Sequence, residues 1–473
     1  MLTLDQVLQT LAGRTVSGVG HVITDAAVDS RLVIPGALFV AVPGERVDGH
    51  DYLQEAFDRG AVAALVERDT PKELPVLDLR QPPTDEQLGL AKEPICLRVG
   101  SSLEALQQIA SEWRSQLQLR VIGITGSVGK STTKELAAEV LQQRFRTHKN
   151  PGNQNNEIGL PLSLLRLTEA HQVSVLEMGF YVPGEIALLC RIAKPQVGVI
   201  TNVSQVHMER AGSLEAILAG KTELVENLPP APDGVAVLNH DDPLVRQMAY
   251  HTQARVLYYG LTSEADLWAS DIQGLGLEGI RLVMHYQGES MHVRVPLLGR
   301  HSAHTVLRAS AVGLVEGMTW EEIIQGLRST HAQLRLVAVQ GPEGCLLLDD
   351  TYNAAPPSMI AALNLLEELE GRRVAVLGDM LELGDYEEQG HRLVGARAAE
   401  VVDELITVGP RAKLIAEEAK RAGLQSAVVV LVEDSQAAID HLRGRVGQGD
   451  VILVKGSRGV RMDQIIAALE ESE

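Results

Sequence analysis

Cysteine is scarce: Cys96, Cys190 and Cys345 are the only three in 473 residues. They stand far apart in no metal-binding or framework spacing, which excludes a disulfide scaffold and a cysteine zinc site and fits a reducing compartment. No apolar run approaches the ~18 residues needed to cross a bilayer. The stretch Met1-Leu-Thr-Leu-Asp5 has no basic segment followed by an apolar core, so no signal peptide is expected and the expected location is the cytoplasm. Positive charge is also in deficit. Lys and Arg number 42 against 62 Asp and Glu, a net charge of −20, which argues against a general binder of nucleic acid or anionic membrane. It does not argue against nucleotides, because a local loop of N–H groups and lysines can hold phosphate in any background. No G-x-G-x-x-G occurs near the C-terminus, so a dinucleotide such as NAD is not implied there.

What is present is a folded α/β chain. Hydrophobic residues make up 45%, and the length predicts roughly three domains. The pivotal stretch is Val121-Ile-Gly-Ile-Thr125-Gly126-Ser127-Val128-Gly129-Lys130-Ser131-Thr132. A β-branched run, a glycine turn and Lys-Ser-Thr opening a helical pattern read as a phosphate-binding loop. Gly126 and Gly129 let N–H groups point inward at a helix N-terminus. Lys130 can then reach the outer phosphates and the Ser131 hydroxyl can hold Mg²⁺. Ile124 stands where the general pattern has its first glycine.

The remaining chain sorts into three units. Residues 1–98 carry strands at 37–42 and 63–66, a helix at 52–59, and polar loops containing Ser30-Arg31 and Arg46-Val-Asp48-Gly49-His50. The proline-rich, charged segment 71–94 reads as a surface excursion. Residues 99–332 hold the phosphate loop and a turn-rich segment with Asn153, Asn156 and Glu157. Strands ending in Glu177 and, a few residues before His207, in Asn202 follow. A small antiparallel sheet is expected in 267–298. Strand-end groups beside a phosphate loop lie where α/β sheets bind ligands, which makes Glu177 a Mg²⁺ candidate. The helix expected at 213–228 has an apolar stripe of Leu214, Ile217, Leu218, Leu224, Val225 and Leu228, and Lys221 sits inside it. A buried ammonium must snorkel, find a partner or lose its charge. Residues 333–473 alternate strands (345–348, 374–377, 405–408, 428–432, 451–454) with helices, a doubly wound parallel pattern.

The Thr-Gly-x-x-Gly-Lys-Ser loop, the Asp29-Ser30-Arg31 and Gly44-Glu-Arg-Val-Asp-Gly-His50 stretches, the Ala-x-Lys221-x-Glu setting and Lys455-Gly-Ser457-Arg458 resemble the Mur ligases. The resemblance runs nearly the whole chain. It implies three α/β domains: a small UDP-binding domain (1–98), a central P-loop ATPase-like domain with a mainly parallel sheet plus a small antiparallel sheet (99–332), and a Rossmann-like domain (333–473). It implies an ATP-dependent ligase of cytoplasmic peptidoglycan precursor synthesis, acting on UDP-N-acetylmuramoyl-tripeptide through an acyl phosphate. The stretches at 350–356, 378–384 and 455–462 resemble members whose incoming group is D-alanyl-D-alanine, and no Asp-Asn-Pro-Arg motif of a diaminopimelate-adding member is found.

By the same resemblance, Thr125 to Thr132, Asn239, Arg335 and Asp350 contact ATP. Ser30, Arg31, Arg46, Asp48, Gly49, His50, Asn153, Asn156 and Glu157 contact the UDP substrate. Tyr352, Asn353, Asp379, Lys455, Ser457 and Arg458 contact the dipeptide. Ser131, Glu177, His207 and Lys221 hold two Mg²⁺, with Lys221 as a carbamate. Catalysis falls to Lys130, Glu177, His207, Lys221, Arg335 and Asp350, in a monomer. The chain departs from the family's His-Asn-x-x-Asn, with Ser302 and His304 where asparagines are usual, and has Ala355 for another asparagine. A related ATP-dependent ligase of the folylpolyglutamate synthetase kind is the nearer alternative. A nucleotide-binding scaffold that has lost catalysis is the further one, and joint retention of Lys130, Glu177, His207 and Lys221 speaks against it.

Overall fold

β-Branched runs bounded by glycine and polar turns become strands throughout. The computed structural model describes the chain apart from residues 15–19, 45–46, 71–73, 85–86, 89–92, 207, 330–335 and 471–473. Three proposed site residues, Arg46, His207 and Arg335, therefore lie outside the described residues. The architecture is α/β with three sheets, in two compact units. One comprises Met1–Gly123, Phe145–Gly179 and Gly184–Val197; the other comprises Ile124–Arg144, Phe180–Pro183 and Gly198–Glu473.

In the first unit, β1 (Ala26–Ala27), β2 (Leu38–Val40), β3 (Ala63–Val66), β4 (Val76–Asp78) and β5 (Ile95–Arg98) form a parallel sheet of order β1-β2-β3-β5-β4. Side chains alternate across it: Phe39, Ala64 and Cys96 belong to one apolar cluster, while Leu38, Leu65 and Leu97, equally buried, point the other way. Strand β4 corrects the expected surface excursion at 71–94. Only Leu77 of its three residues is buried, too little apolar signal to stand out among prolines and charges. The same unit carries the helix Ser102–Gln116 and β6 (Arg120–Thr125) as far as Gly123, beside β8 (Val173–Glu177) and then β7 (Thr147–Lys149), the last pair parallel.

The second unit takes up β6 at Ile124. Its strands β9 (Val197–Ile200), β10 (Val235–Asn239), β11 (Arg255–Gly260), β12 (Leu267–Gly274), β13 (Ile280–Tyr286) and β14 (Glu289–Val295) follow in the order β6-β9-β10-β11-β12-β13-β14. β10, β11 and β12 are parallel, whereas β13 and β14 are antiparallel neighbours. The antiparallel strands expected in 267–298 are thus present, hydrogen-bonded onto the parallel ones. The last sheet runs β15 (Val337–Gln340), β16 (Leu346–Asp350), β20 (Asp450–Lys455), β17 (Arg372–Gly378), β18 (Glu404–Val408), β19 (Val429–Val432), parallel except for β15. Ala375 and Leu377 pack with the helices Pro356–Glu368 and Glu387–Val401, and Val374 and Val376 with Ser435–Leu442 and Asp463–Leu469. Burial of both faces explains why these strands read as unbroken apolar runs.

In the first unit Arg114 closes the C-terminal turn of its helix. It is buried, and its guanidinium donates to the carbonyls of Ala193 (3.0 Å), Leu117 (3.0 Å) and Leu119 (3.1 Å). Arg114→Met keeps the apolar stem and strips three buried carbonyls of their donor. Urea unfolding should show a loss of about 2–4 kcal/mol, and a change within about 0.5 kcal/mol would mean that the guanidinium does not anchor this turn.

Candidate functional site

The phosphate loop is held from behind. Strand β6 buries Val121, Ile122, Ile124 and Thr125, then turns at Gly126 (φ +142°) and Gly129 (φ +85°). Both values belong to glycine. A Cβ on Gly126 would lie 1.9 Å from the Thr201 hydroxyl. The loop after β9 does the bracing. Asn202 accepts from the Val128 N–H (3.1 Å) and donates to the Val128 carbonyl (3.0 Å), and its own carbonyl accepts from the Ser127 N–H (2.9 Å). The Ser127 hydroxyl donates to the Ser204 carbonyl and accepts from the Ser204 N–H. Asp242 in turn holds Val203 N–H (2.8 Å) with one oxygen and caps the Pro243–Gln247 helix with the other.

Lys130 opens the helix Lys130–Gln142 and folds back, its Nζ donating to the carbonyls of Gly126 (2.8 Å) and Ser127 (3.1 Å). Ser131 and Thr132 lie half-buried on the first turn. Asn239 is buried and committed to the framework: its amide donates to the Thr201 carbonyl and its oxygen accepts from Asp241 N–H. The Thr201 hydroxyl, by contrast, is buried with no hydrogen-bond partner among the described residues.

Lys221 sits on the helix Leu214–Glu226, capped by Ser213. Its side chain is buried, and Nζ lies 4.7 Å from the centre of the Phe180 ring. Gly220 admits that ring, since a Cβ there would fall 1.9 Å from Phe180 Cε2. Burial pushes the Lys221 ammonium well below its usual range, and the positive charge of Lys130 pushes it further. Snorkelling is therefore not what this lysine does. Among the described residues no carboxylate offsets it.

In the first unit Glu177 ends β8, 1% exposed, with Oε1 accepting from the Asn155 amide at 2.8 Å. Asn150 clasps the Glu177 backbone through both N–H and carbonyl. Asn150 and Asn155 were not singled out by sequence reasoning, although they lie in the polar stretch it noted. Of the residues assigned to substrate there, Asn153 is exposed, Asn156 caps the helix Gly159–Leu165 through Gly159 N–H (2.8 Å), and Glu157 accepts from Gln107 through its carbonyl.

The proposed UDP loops divide similarly. Ser30 is buried and donates to Glu55 (2.9 Å). His50 is buried between Asp48, at Nδ1 (2.7 Å), and the Glu67 N–H, at Nε2 (2.8 Å), which selects the Nδ1–H tautomer. Gly49 passes so close to the end of β2 that a Cβ would lie 2.9 Å from Val42 N. These groups shape the loop, and Arg31, with 77% of its side chain exposed and paired with Asp29, is left facing solvent.

At the last sheet, three strand ends are tied together. Lys455, buried, pairs with Asp350 (2.7 Å) and donates to the Asn353 carbonyl (2.8 Å). Ser457 N–H donates to the Asp379 carbonyl, and the Ser457 hydroxyl accepts from Leu381 N–H. Asp379 caps the turn at Arg411 and Ala412 (2.9 and 2.7 Å). Tyr352, Asn353 and Arg458 are exposed beside this scaffold. The helix after Ala355 is capped without its asparagine: the Ser358 hydroxyl accepts from the Ala355 N–H. Ser302 donates to the Leu298 carbonyl and His304 pairs with Asp241 (2.8 Å). Counted from His301, the second asparagine of His-Asn-x-x-Asn falls on Thr305 and not on His304, which corrects that assignment.

A glycine loop at the carboxyl end of a β-strand, opening a helix with Lys-Ser, defines a nucleotide-phosphate-binding α/β protein. Family models identify it further: "Mur ligase family, catalytic domain" matches residues 22–114, "Mur ligase middle domain" 124–313 and "Mur ligase, glutamate ligase domain" 334–458. The chain belongs to the Mur ligase family, ATP-dependent enzymes that form peptide bonds. It is 36% identical to the UDP-N-acetylmuramoyl-tripeptide–D-alanyl-D-alanine ligase of Bacillus subtilis over 95% of this chain and 94% of that one. To its Escherichia coli counterpart it is 34% identical over 100% and 99%. It is similar to crystal structures of MurF from Acinetobacter baumannii (TM-score 0.83, 29% identity, 98% and 97% covered) and of MurF from Thermotoga maritima in complex with ADP (0.77, 30%, 94% and 96%).

Gly126→Ala combines a forbidden φ with a clash against Thr201, so it should abolish detectable ADP binding by calorimetry while leaving the thermal midpoint within a few degrees. Retained ADP affinity would show that the loop does not need its glycine.

Proposed function

We propose that this chain ligates D-alanyl-D-alanine to UDP-N-acetylmuramoyl-tripeptide, forming ADP and phosphate. One observation carries the choice of member: Asp379 and Leu381 of the Gly-Asp-Met-Leu-Glu-Leu-Gly stretch are hydrogen-bonded to Ser457 of the Lys-Gly-Ser-Arg stretch, at one sheet edge. Residues 1–98 would take the UDP-sugar, 99–332 ATP, and 333–473 the dipeptide, in a monomeric enzyme of the cytoplasm. Among the described residues no helix is long and apolar enough to cross a membrane, consistent with soluble substrates.

ATP phosphorylates the terminal carboxylate of the tripeptide. The dipeptide amine then attacks the acyl carbon, the C–O bond to phosphate breaks, and phosphate leaves. Such transfers depend on positioning and charge neutralisation. The N–H groups at the start of the Lys130–Gln142 helix and Lys130 hold the phosphates. Arg335 and Asp350 complete the nucleotide site, and Tyr352, Asn353 and Arg458 are the groups positioned to meet the dipeptide. Arg31, with Arg46, meets the diphosphate of the UDP substrate.

The donors suit a hard cation: the Ser131 hydroxyl, the Glu177 carboxylate, His207 and a carbamate on Lys221 would hold two Mg²⁺. Among the described residues no group of three or more His, Cys, Asp or Glu is placed to hold a metal ion. When bound, the ions offset charge on the phosphates. The carbamate arises when the neutral Lys221 amine adds to CO₂ and releases a proton, and burial favours that neutral amine. The modification turns a buried neutral amine into an anion close enough to feel Lys130.

ADP release should require both sugar-peptide and D-Ala-D-Ala, and D-glutamate or diaminopimelate should not substitute. Equal turnover with either would move the chain to another member of the family. Lys221→Ala should be folded and nearly inactive, with partial rescue by a short free carboxylate, and Lys221→Arg should be no better. An active Lys221→Arg variant would defeat the carbamate.

A further inference from the structure

Arg308 lies on the helix Ser302–Val315 among Val306, Leu307, Ala309, Ala311 and Val312, and is 4% exposed. A guanidinium keeps its charge at any accessible pH, and a charge so buried ordinarily has a carboxylate beside it. Among the described residues Arg308 has none. Its partners are neutral: Nη2 donates to the Thr305 hydroxyl (2.8 Å) and Nη1 reaches the Tyr259 hydroxyl at 3.4 Å, while Nε has no acceptor. The fork ends at the phosphate loop. A Cβ on Gly129 would lie 3.0 Å from Nη2 and 4.0 Å from Nη1, so the guanidinium rests against the α-carbon preceding Lys130.

Tyr259 fixes it there. That ring is fully buried, donates its hydroxyl to the carbonyls of Ile200 and Thr201, and so ties Arg308 to the segment leading into Asn202, which braces the loop. A fixed cation packed against the turn that receives polyphosphate, with no carboxylate among the described residues to balance it, has its counter-charge in the ligand. The nearby acids are otherwise engaged: Asp241 with His304, and Asp242 with backbone N–H groups.

We propose that Arg308 is a positioning residue of the phosphate loop: it holds Gly129 from behind and supplies a buried positive charge whose counterpart is the bound nucleoside polyphosphate. This rests on the reading of the loop as the ATP site. A residue of this kind strengthens binding according to the number of phosphates, whereas a packing residue affects every nucleotide alike.

The test is competition binding of ADP and AMP to the full chain, for the native sequence and for Arg308→Met and Arg308→Lys, with thermal midpoints recorded. Arg308→Met should weaken ADP about tenfold or more and AMP by at most about threefold, and Arg308→Lys should recover part, but not all, of the ADP loss. Equal losses for both nucleotides, or unchanged affinities with only a lowered midpoint, would overturn the proposal. If Arg308→Met does not fold, Arg308→Lys decides: its displaced charge must lower ADP affinity more than AMP affinity, and an unchanged ratio counts against the role. Failure of the native chain to bind ADP would instead overturn the ATP-site reading.

Discussion

Everything at the nucleotide site depends on keeping a short glycine-rich segment curved when its own torsional preferences would not. Two positive-φ glycines make the curve possible and do nothing to maintain it. Maintenance comes from the neighbouring strand. Asn202 grips both polar groups of Val128, Ser127 and Ser204 exchange hydrogen bonds, and Asp242 holds the gripping segment in place. Because those partners are backbone and short polar side chains, the curve of the loop is set before ligand arrives and little reorganisation is left for binding.

The second constraint is electrostatic. A chain of net charge −20 has to receive two highly anionic substrates. It does so by concentrating cations locally: Lys130 on the loop and Arg308 behind Gly129. Among the described residues Arg308 has only apolar and neutral neighbours, where a charge acts more strongly than in water and is less screened by salt. Like charges brought together in this way destabilise the empty site. A bound polyphosphate relieves that cost.

The α/β character and the phosphate loop were legible because their signals are local. A β-branched run, a glycine pair and a Lys-Ser helix start need no knowledge of distant residues. Lys221 was legible because it interrupts a periodic stripe, and Arg308 could have been found the same way, as the one charged residue in a run of small and apolar ones. What escaped was pairing across the sequence. Nothing local says that Asn155 holds Glu177 or that Asn202 holds Val128, since each contact joins segments brought together only by the sheet. The strand Val76–Asp78 escaped because three residues with one buried side chain carry almost no pattern. Several residues assigned to substrate by motif, among them His50, Asn156, Asp379 and Ser457, also hydrogen-bond within the loops that carry them. Motifs identify what a site requires without distinguishing contact from support.

The buried pair of Lys455 and Asp350 shows what that distinction means for interpreting mutants. Lys455 belongs to the stretch assigned to the dipeptide and Asp350 to the set assigned to the nucleotide, so one ion pair spans two binding functions. Removing Asp350 takes the ion-pair partner from the buried Lys455. A Lys455 variant impaired toward both substrates would therefore be no evidence that the lysine touches either. Only a double-mutant cycle against Asp350 separates the loss of a contact from the release of its neighbour, and kinetic constants from single variants at this edge measure the pair.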